Sequence, residues 1–106
     1  MAFFMTQFIY IIFTQSYNKF YVGRTTDPRK RLEQHNSGEL EKISGKAKDW
    51  QMAALFEVRG GSGAAEKAER FIKLQNSNEF IVKLINPTYF PDGKLDLLKR
   101  IPFVNR

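Results

Sequence analysis

The chain has 106 residues, 42% of them hydrophobic and 26% charged, which sets a single globular domain rather than a disordered chain. Lys+Arg number 17 against 11 Asp+Glu, a net charge of +6, which suits a polyanionic partner such as nucleic acid or an anionic surface, or else a basic solvated surface. The absence of cysteine excludes disulfides, thiol catalysis and cysteine-bound zinc, the single histidine, His35, excludes a multi-histidine metal site, and no glycine-rich phosphate loop is present.

The apolar start, Met1 to Phe13, is interrupted by Thr6 and Gln7 and is too short to span a bilayer. It also lacks the basic region and small-residue cleavage site of a signal peptide, so the expectation is a soluble, cytoplasmic protein with no membrane partner. The continuous run Phe8-Ile9-Tyr10-Ile11-Ile12-Phe13 predicts a strand buried on both faces. Ser16 to Lys19 is a turn signal, and Phe20-Tyr21-Val22-Gly23 reads as the return arm of a hairpin. Gly23 inside it marks a bulge or a close approach to the backbone. Asp27-Pro28 opens a helix and Gly38 closes it, giving Pro28 to Asn36. Residues 39–49 read as a polar loop.

Trp50, Met52, Ala54, Phe56 and Val58 alternate, which predicts a third strand with those five on one face. Gly60 to Gly63 reads as a flexible connection before a helix over Ala64 to Gln75. A short helix, Phe80 to Ile85, follows and is broken at Asn86-Pro87. Leu95 to Leu98 is a last short amphipathic piece. The order ββαβαα gives an α+β class with a small three-stranded antiparallel sheet flanked by helices. The expected organisation is one domain over residues 1–90 and a basic tail over 91–106 that packs on it or extends from it.

The first helix departs from the usual pattern. A surface helix buries a stripe of apolar residues, yet here Arg31 and His35 share a face with Leu32. That face is either a solvated surface or an anion site, with a guanidinium for phosphate and an imidazole one turn away. Charge is concentrated in the same stretch: Lys19, Arg24, Arg29, Lys30 and Arg31 face a single acid, Asp27. Tyr10 and Tyr21 sit on the paired strands, where aromatics are ordinary. Glu69 lies at the edge of an apolar helix face, where an acid is either solvated or paired with a cation.

Phe8-Ile9-Tyr10, ten intervening residues and Tyr21-Val22-Gly23 resemble the signature of the GIY-YIG nuclease superfamily. Thr25-Thr26-Asp27-Pro28, Arg31, His35-Asn36-Ser37-Gly38 and Ala68-Glu69-Arg70-Phe71-Ile72-Lys73 match in order and interval. The likeness covers about residues 7–85 and is closest to the small, single-domain bacterial branch. Phe8 stands where the signature has its first glycine, which places a bulky side chain near the cleft.

The resemblance implies a metal-dependent endonuclease that hydrolyses DNA, structure-selective and acting in repair or recombination, with RNA left open. The alternative is a nucleic-acid-binding protein that keeps the fold without cleavage. Tyr10 and Tyr21 would face a shared cleft, one of them helping to deprotonate water. Arg31 would hold the scissile phosphate, and His35 would assist proton transfer or orient a tyrosine. Glu69 would be the only protein ligand of one Mg²⁺ or Mn²⁺ ion, and Gly23 would leave room for the substrate backbone. Lys19, Arg24, Arg29 and Lys30, with Gly23, form the expected nucleic-acid-binding set. Asn36 matches the pattern without an assigned role.

The chemistry is coherent with these residue types. A guanidinium supplies charge to the phosphate. A phenol of pKa about 10 is a poor base at neutral pH and improves when cations lower that value. One carboxylate suits Mg²⁺, which keeps its waters, and paired carboxylates for two metals are absent. Binding through phosphates predicts a steep salt dependence and little sequence preference, with selection left to DNA shape or a protein partner. The net-positive tail from Lys94 to Arg106 is expected to add backbone contacts.

Overall fold

A computed structural model describes residues 5–106. The first residues of the apolar start, Met1 to Phe4, lie outside the described residues. No helix among the described residues is long and apolar enough to cross a membrane.

Strand β1 (Gln7–Thr14) pairs antiparallel with β2 (Lys19–Thr25) on one side and β3 (Trp50–Val58) on the other, and β3 pairs with a short β4 (Leu98–Arg100). The sheet therefore has four strands in the order β2-β1-β3-β4, not three. The expected amphipathic piece over Leu95 to Leu98 is instead a 3₁₀ turn, Gly93–Leu95, leading into β4. Three residues of mixed polarity carry no period of their own, and only the open edge of β3 makes a strand of them.

The central position of β1 explains its run of apolar residues. Ile9 and Ile11 face α3 (Gly61–Gln75) and α4 (Asn78–Ile85), packing with Ala65, Ala68, Ile72, Ile81 and Leu84. Tyr10 and Ile12 face the other way, toward α1 (Pro28–Ser37), packing with Leu32, Trp50, Met52 and Leu55. Both faces of the strand are buried, as the run implies.

The alternation in β3 does not hold across its length. The β1–β3 register shifts between Ile11, opposite Ala54, and Ile12, opposite Met52, which leaves Ala53 as the extra residue of a bulge. Side-chain direction inverts there. Ala54, Phe56 and Val58 face α3 and α4, whereas Trp50 and Met52 join Leu55 on the α1 face. The bulge thus delivers Trp50 to the side that carries the tyrosines.

The helix signals of α1 act as read. Asp27 accepts from the Lys30 amide at 3.1 Å, Pro28 occupies the first turn, and Gly38 ends the helix at φ +92°. Its buried residues are Leu32 and His35. Helix α3 begins at Gly61, so the glycine-rich stretch is its first turn rather than a free connection. Packing of Ala65, Ala68 and Ile72 overrides the low helix propensity of glycine there. The polar loop over 39–49 contains a one-turn helix, α2 (Glu41–Ser44), whose Ser44 is buried.

The segment after α4 is tied back at several points. Arg100 donates to the carbonyls of Leu84, Asn86 and Tyr89 and stacks on Phe56 at 4.7 Å. Asn105 exchanges two hydrogen bonds with the Met52 backbone, 2.8 and 3.0 Å. Ile101 donates to Leu55, continuing the edge beyond β4.

Candidate active site

The site is assembled where the β2 edge meets α1 on one side and α3 on the other. Tyr10 of β1 and Tyr21 of β2 lie on the α1 face with ring centroids 6.2 Å apart. His35 of α1 is fully buried against both, 5.6 Å from the Tyr10 ring and 5.0 Å from that of Tyr21. Trp50 closes the cluster, 6.2 Å from His35 and 6.5 Å from Tyr21.

Hydrogen bonding fixes the imidazole. Ser44 Oγ donates to the Leu40 carbonyl at 3.2 Å, and its oxygen lies 2.7 Å from His35 Nδ1. With the serine proton given to that carbonyl, the His35 Nδ1–H donates to Ser44. His35 Nε2 is then the acceptor, and the Tyr10 hydroxyl donates to it at 2.8 Å. The tautomer is assigned from this network.

Burial holds this network in its neutral state. The His35 pKa is pushed down to about 4, first by burial and then by the charge of Arg31. The Tyr10 phenol is pushed well above its ordinary range, first by burial, then by Tyr21, with Glu69 adding to it and Arg31 opposing. The expectation that cations lower a tyrosine into the working range is therefore reversed at Tyr10, because desolvation outweighs Arg31. Tyr10 is only 3% exposed and does not open to solvent, whereas Tyr21 is half-buried.

Gly23 sits opposite Tyr10 in the β1–β2 register. A Cβ on Gly23 would lie 2.5 Å from Tyr10 Cζ, so the space a side chain would need is filled by the phenol ring. The residue opposite must be glycine for Tyr10 to lie flat across β2. Phe8, the departure from the signature, is half-buried and packs against the same hydrophobic cluster as Tyr10.

Arg31, half-buried on α1, has no acid within ion-pair reach among the described residues. Its Nε and the Trp50 Nε1 are the buried side-chain nitrogens without a hydrogen-bond partner. Both are donors that folding leaves without an acceptor among the described residues.

Glu69, on α3, extends the cluster along the β2 edge. Its Oε1 accepts from Arg24 Nε at 3.0 Å, and its Oε2 lies 3.0 Å from Lys73 Nζ. Lys73 also lies 5.4 Å from the centroid of the Tyr21 ring. A continuous set of contacts runs from Ser44 through His35 and the tyrosines to Lys73, Glu69 and Arg24. Two of its members, Ser44 and Lys73, were not among the sequence-derived candidates. Lys73 carried a readable signal, its i,i+4 spacing from Glu69. Ser44 carried none.

The remaining basic candidates are dispersed. Lys19 and Lys30 are exposed. Lys19 reaches over the Tyr17 ring and lies against Gly45. Arg29 lies on the opposite flank of α1, stacked on Phe103 at 4.0 Å and donating to the Val104 carbonyl at 2.7 Å. In the C-terminal segment, the Arg100 guanidinium is committed to internal carbonyls.

The donor set fits one kind of metal. Among the described residues no three His, Cys, Asp or Glu side chains gather as a cage. Glu69 offers one carboxylate, 18% exposed, which suits an ion that keeps most of its water and excludes a closed calcium or zinc site.

The site thus sets a buried Tyr10–His35 pair beside the Arg31 guanidinium. The family model for the GIY-YIG catalytic domain matches residues 6–83, and the chain belongs to the GIY-YIG family. That domain is a nuclease domain, of a generally metal-dependent hydrolase family that acts on nucleic acid. Comparison with curated proteins found no match, and comparison with solved structures found none.

Proposed function

We propose that the protein is a metal-dependent endonuclease that hydrolyses phosphodiester bonds in DNA, selects its substrate by structure, and serves repair or recombination in the cytoplasm. One observation carries the reading: the Arg31 guanidinium, without an acid partner among the described residues, beside the Tyr10–His35 pair. A structural arginine would be paired, as Arg29 and Arg100 are. An arginine kept free over a buried acid–base pair suits a tetrahedral anion.

In this reading Arg31 binds the scissile phosphate and stabilises the charge that develops on it. One of the two tyrosines helps to deprotonate the attacking water, and His35, hydrogen-bonded to Tyr10 through Nε2, assists the proton transfer. Ser44 keeps the accepting nitrogen of His35 turned toward Tyr10. Tyr21, the more exposed phenol, orients the attacking water. Glu69 is the one protein ligand of a Mg²⁺ or Mn²⁺ ion. When bound, the ion supplies charge neutralisation at the phosphate and leaving oxygen. Gly23 serves the substrate indirectly, by admitting the Tyr10 ring. Arg24, Lys19 and Lys30 contact flanking phosphates. A protein partner or DNA shape supplies specificity, since contacts to phosphates carry no sequence information.

The test is incubation with supercoiled plasmid and branched oligonucleotides, with Mg²⁺, Mn²⁺ or EDTA. Cleavage that requires a divalent ion and is lost in Arg31→Ala supports the reading. Binding without cleavage at any divalent ion overturns it in favour of a binding protein on a nuclease fold. Cleavage that survives Glu69→Ala removes the metal assignment.

A further inference from the structure

Glu69 is not a free carboxylate awaiting an ion. Both of its oxygens are already held by cations, Arg24 on one and Lys73 on the other, each at 3.0 Å. The neighbouring pair on the same helix, Arg70 with Glu66, shows what an ordinary surface ion pair looks like here. It is one cation on one acid, with side chains 66% and 52% exposed. Glu69 is only 18% exposed, while Arg24 and Lys73 are 38% and 48% exposed on long stems that can swing to solvent. The acid is fixed and its partners can move.

We infer that Arg24 and Lys73 are exchangeable counter-cations of Glu69, which link divalent-ion binding to nucleic-acid binding so that each strengthens the other. The inference rests on the metal role proposed for Glu69. A divalent ion approaching either oxygen competes with two unit charges within hydrogen-bond distance of the carboxylate, which neutralise it and repel the ion. A phosphate backbone gives both side chains a new anionic partner and clears the carboxylate. Lys73 has a second reason to stay close once displaced, the face of the Tyr21 ring at 5.4 Å. The chain then resists loading with metal until nucleic acid is present, and holds nucleic acid more tightly once the metal is in place. Linkage requires the two strengthenings to be equal.

The experiment titrates the full chain with Mn²⁺, reading free ion by electron paramagnetic resonance, with and without a short DNA duplex. Wild-type protein is expected to bind Mn²⁺ several-fold more tightly with the duplex present, and the duplex tighter by the same factor with Mn²⁺. Arg24→Met and Lys73→Met, tested separately, are each expected to tighten Mn²⁺ binding without DNA by about fivefold and to shrink the linkage factor. Lys73→Arg is expected to restore wild-type behaviour. Met variants that keep the wild-type circular dichroism and bind Mn²⁺ without DNA no better than wild type overturn the inference, since a linkage made only by an ion bridging to phosphate would leave that affinity unchanged. Mn²⁺ binding that is unaltered by Glu69→Gln removes instead the metal role on which the inference stands.

Discussion

The two flanks of α1 use the same residue types to opposite ends. On one flank Arg29 and Asn36 are fully committed to the fold. Arg29 stacks on Phe103 and donates to Val104, while Asn36 accepts from the Trp50 amide at 2.8 Å and donates to the Trp50 carbonyl at 3.0 Å. On the other flank Arg31 has no ion-pair partner among the described residues, and His35 is held neutral in a relay that reaches Tyr10. Two arginines two residues apart in one helix thus differ in whether folding has satisfied them. Polar groups that folding satisfies stabilise the protein, and those it leaves open are available to a ligand.

The largest effect expected from breaking this asymmetry is at Arg31. Arg31→Ala should lower kcat for DNA cleavage by at least about 10²–10³-fold, the cost of losing one donor aimed at transition-state charge. It should leave folding stability within about 1 kcal/mol of wild type, because no internal hydrogen bond is lost. Since Arg31 pushes the His35 pKa down, the same variant should raise that pKa above its wild-type value of about 4, read by NMR titration of the one histidine. A large stability loss with unchanged cleavage would place Arg31 with Arg29 as a structural residue.

The buried imidazole gives the next effect, on stability against pH. His35 titrates near 6.5 when unfolded and near 4 when folded, so the unfolded chain binds the extra proton first. Its contribution is fully present above pH about 6.5 and is lost as pH falls toward about 4, by an amount on the order of 3 kcal/mol. Denaturant titrations across that window should show stability falling with acid, and His35→Phe should flatten the slope. For cleavage, His35 is already in its accepting form at neutral pH. The pH–rate profile should therefore show no histidine step near 6.5, and activity should fall only toward pH 4.

Asn36→Ala should cost about 1–3 kcal/mol in stability, because both Trp50 backbone groups lose a part-buried partner. Chemical denaturation measures it. Trp50 would remain in the chain but lose its anchor beside His35 and Tyr21, so a modest fall in kcat is expected in proportion to that displacement.

Much of the site could be read from the chain because its key residues break local rules. Arg31 and His35 occupy helix positions where core residues belong, and Tyr10 lies in a run that must be buried on both faces. Tyr10, Gly23, Arg31, His35 and Glu69 could also be aligned with a family signature. What stayed hidden depends on contacts distant in sequence. The bulge at Ala53 preserves the look of alternation while inverting it, so Trp50 and Met52 were expected on the same face as Phe56. Ser44 is one serine in a polar stretch, and only the position of His35 gives it meaning. Strand β4 exists because β3 has an open edge. The commitment of Arg29 to Phe103 and Val104 joins residues more than seventy positions apart, so a count of basic residues between Lys19 and Arg31 overstates what faces the substrate.

That overstatement sets the smallest expected effect and the closest test of the comparison. Arg29→Ala removes a hydrogen bond to Val104 and a stacked contact on Phe103, a loss of about 1 kcal/mol in stability. Its guanidinium points away from Tyr10 and Glu69 into contacts with the C-terminal segment, so it neutralises no phosphate at the site. The slope of log Kd for a DNA duplex against log salt should therefore match wild type, whereas Arg24→Ala should reduce it by about one phosphate's worth. Equal slopes for the two variants would show that the C-terminal segment releases Arg29 when DNA binds, and the two flanks of α1 would then act on the same ligand.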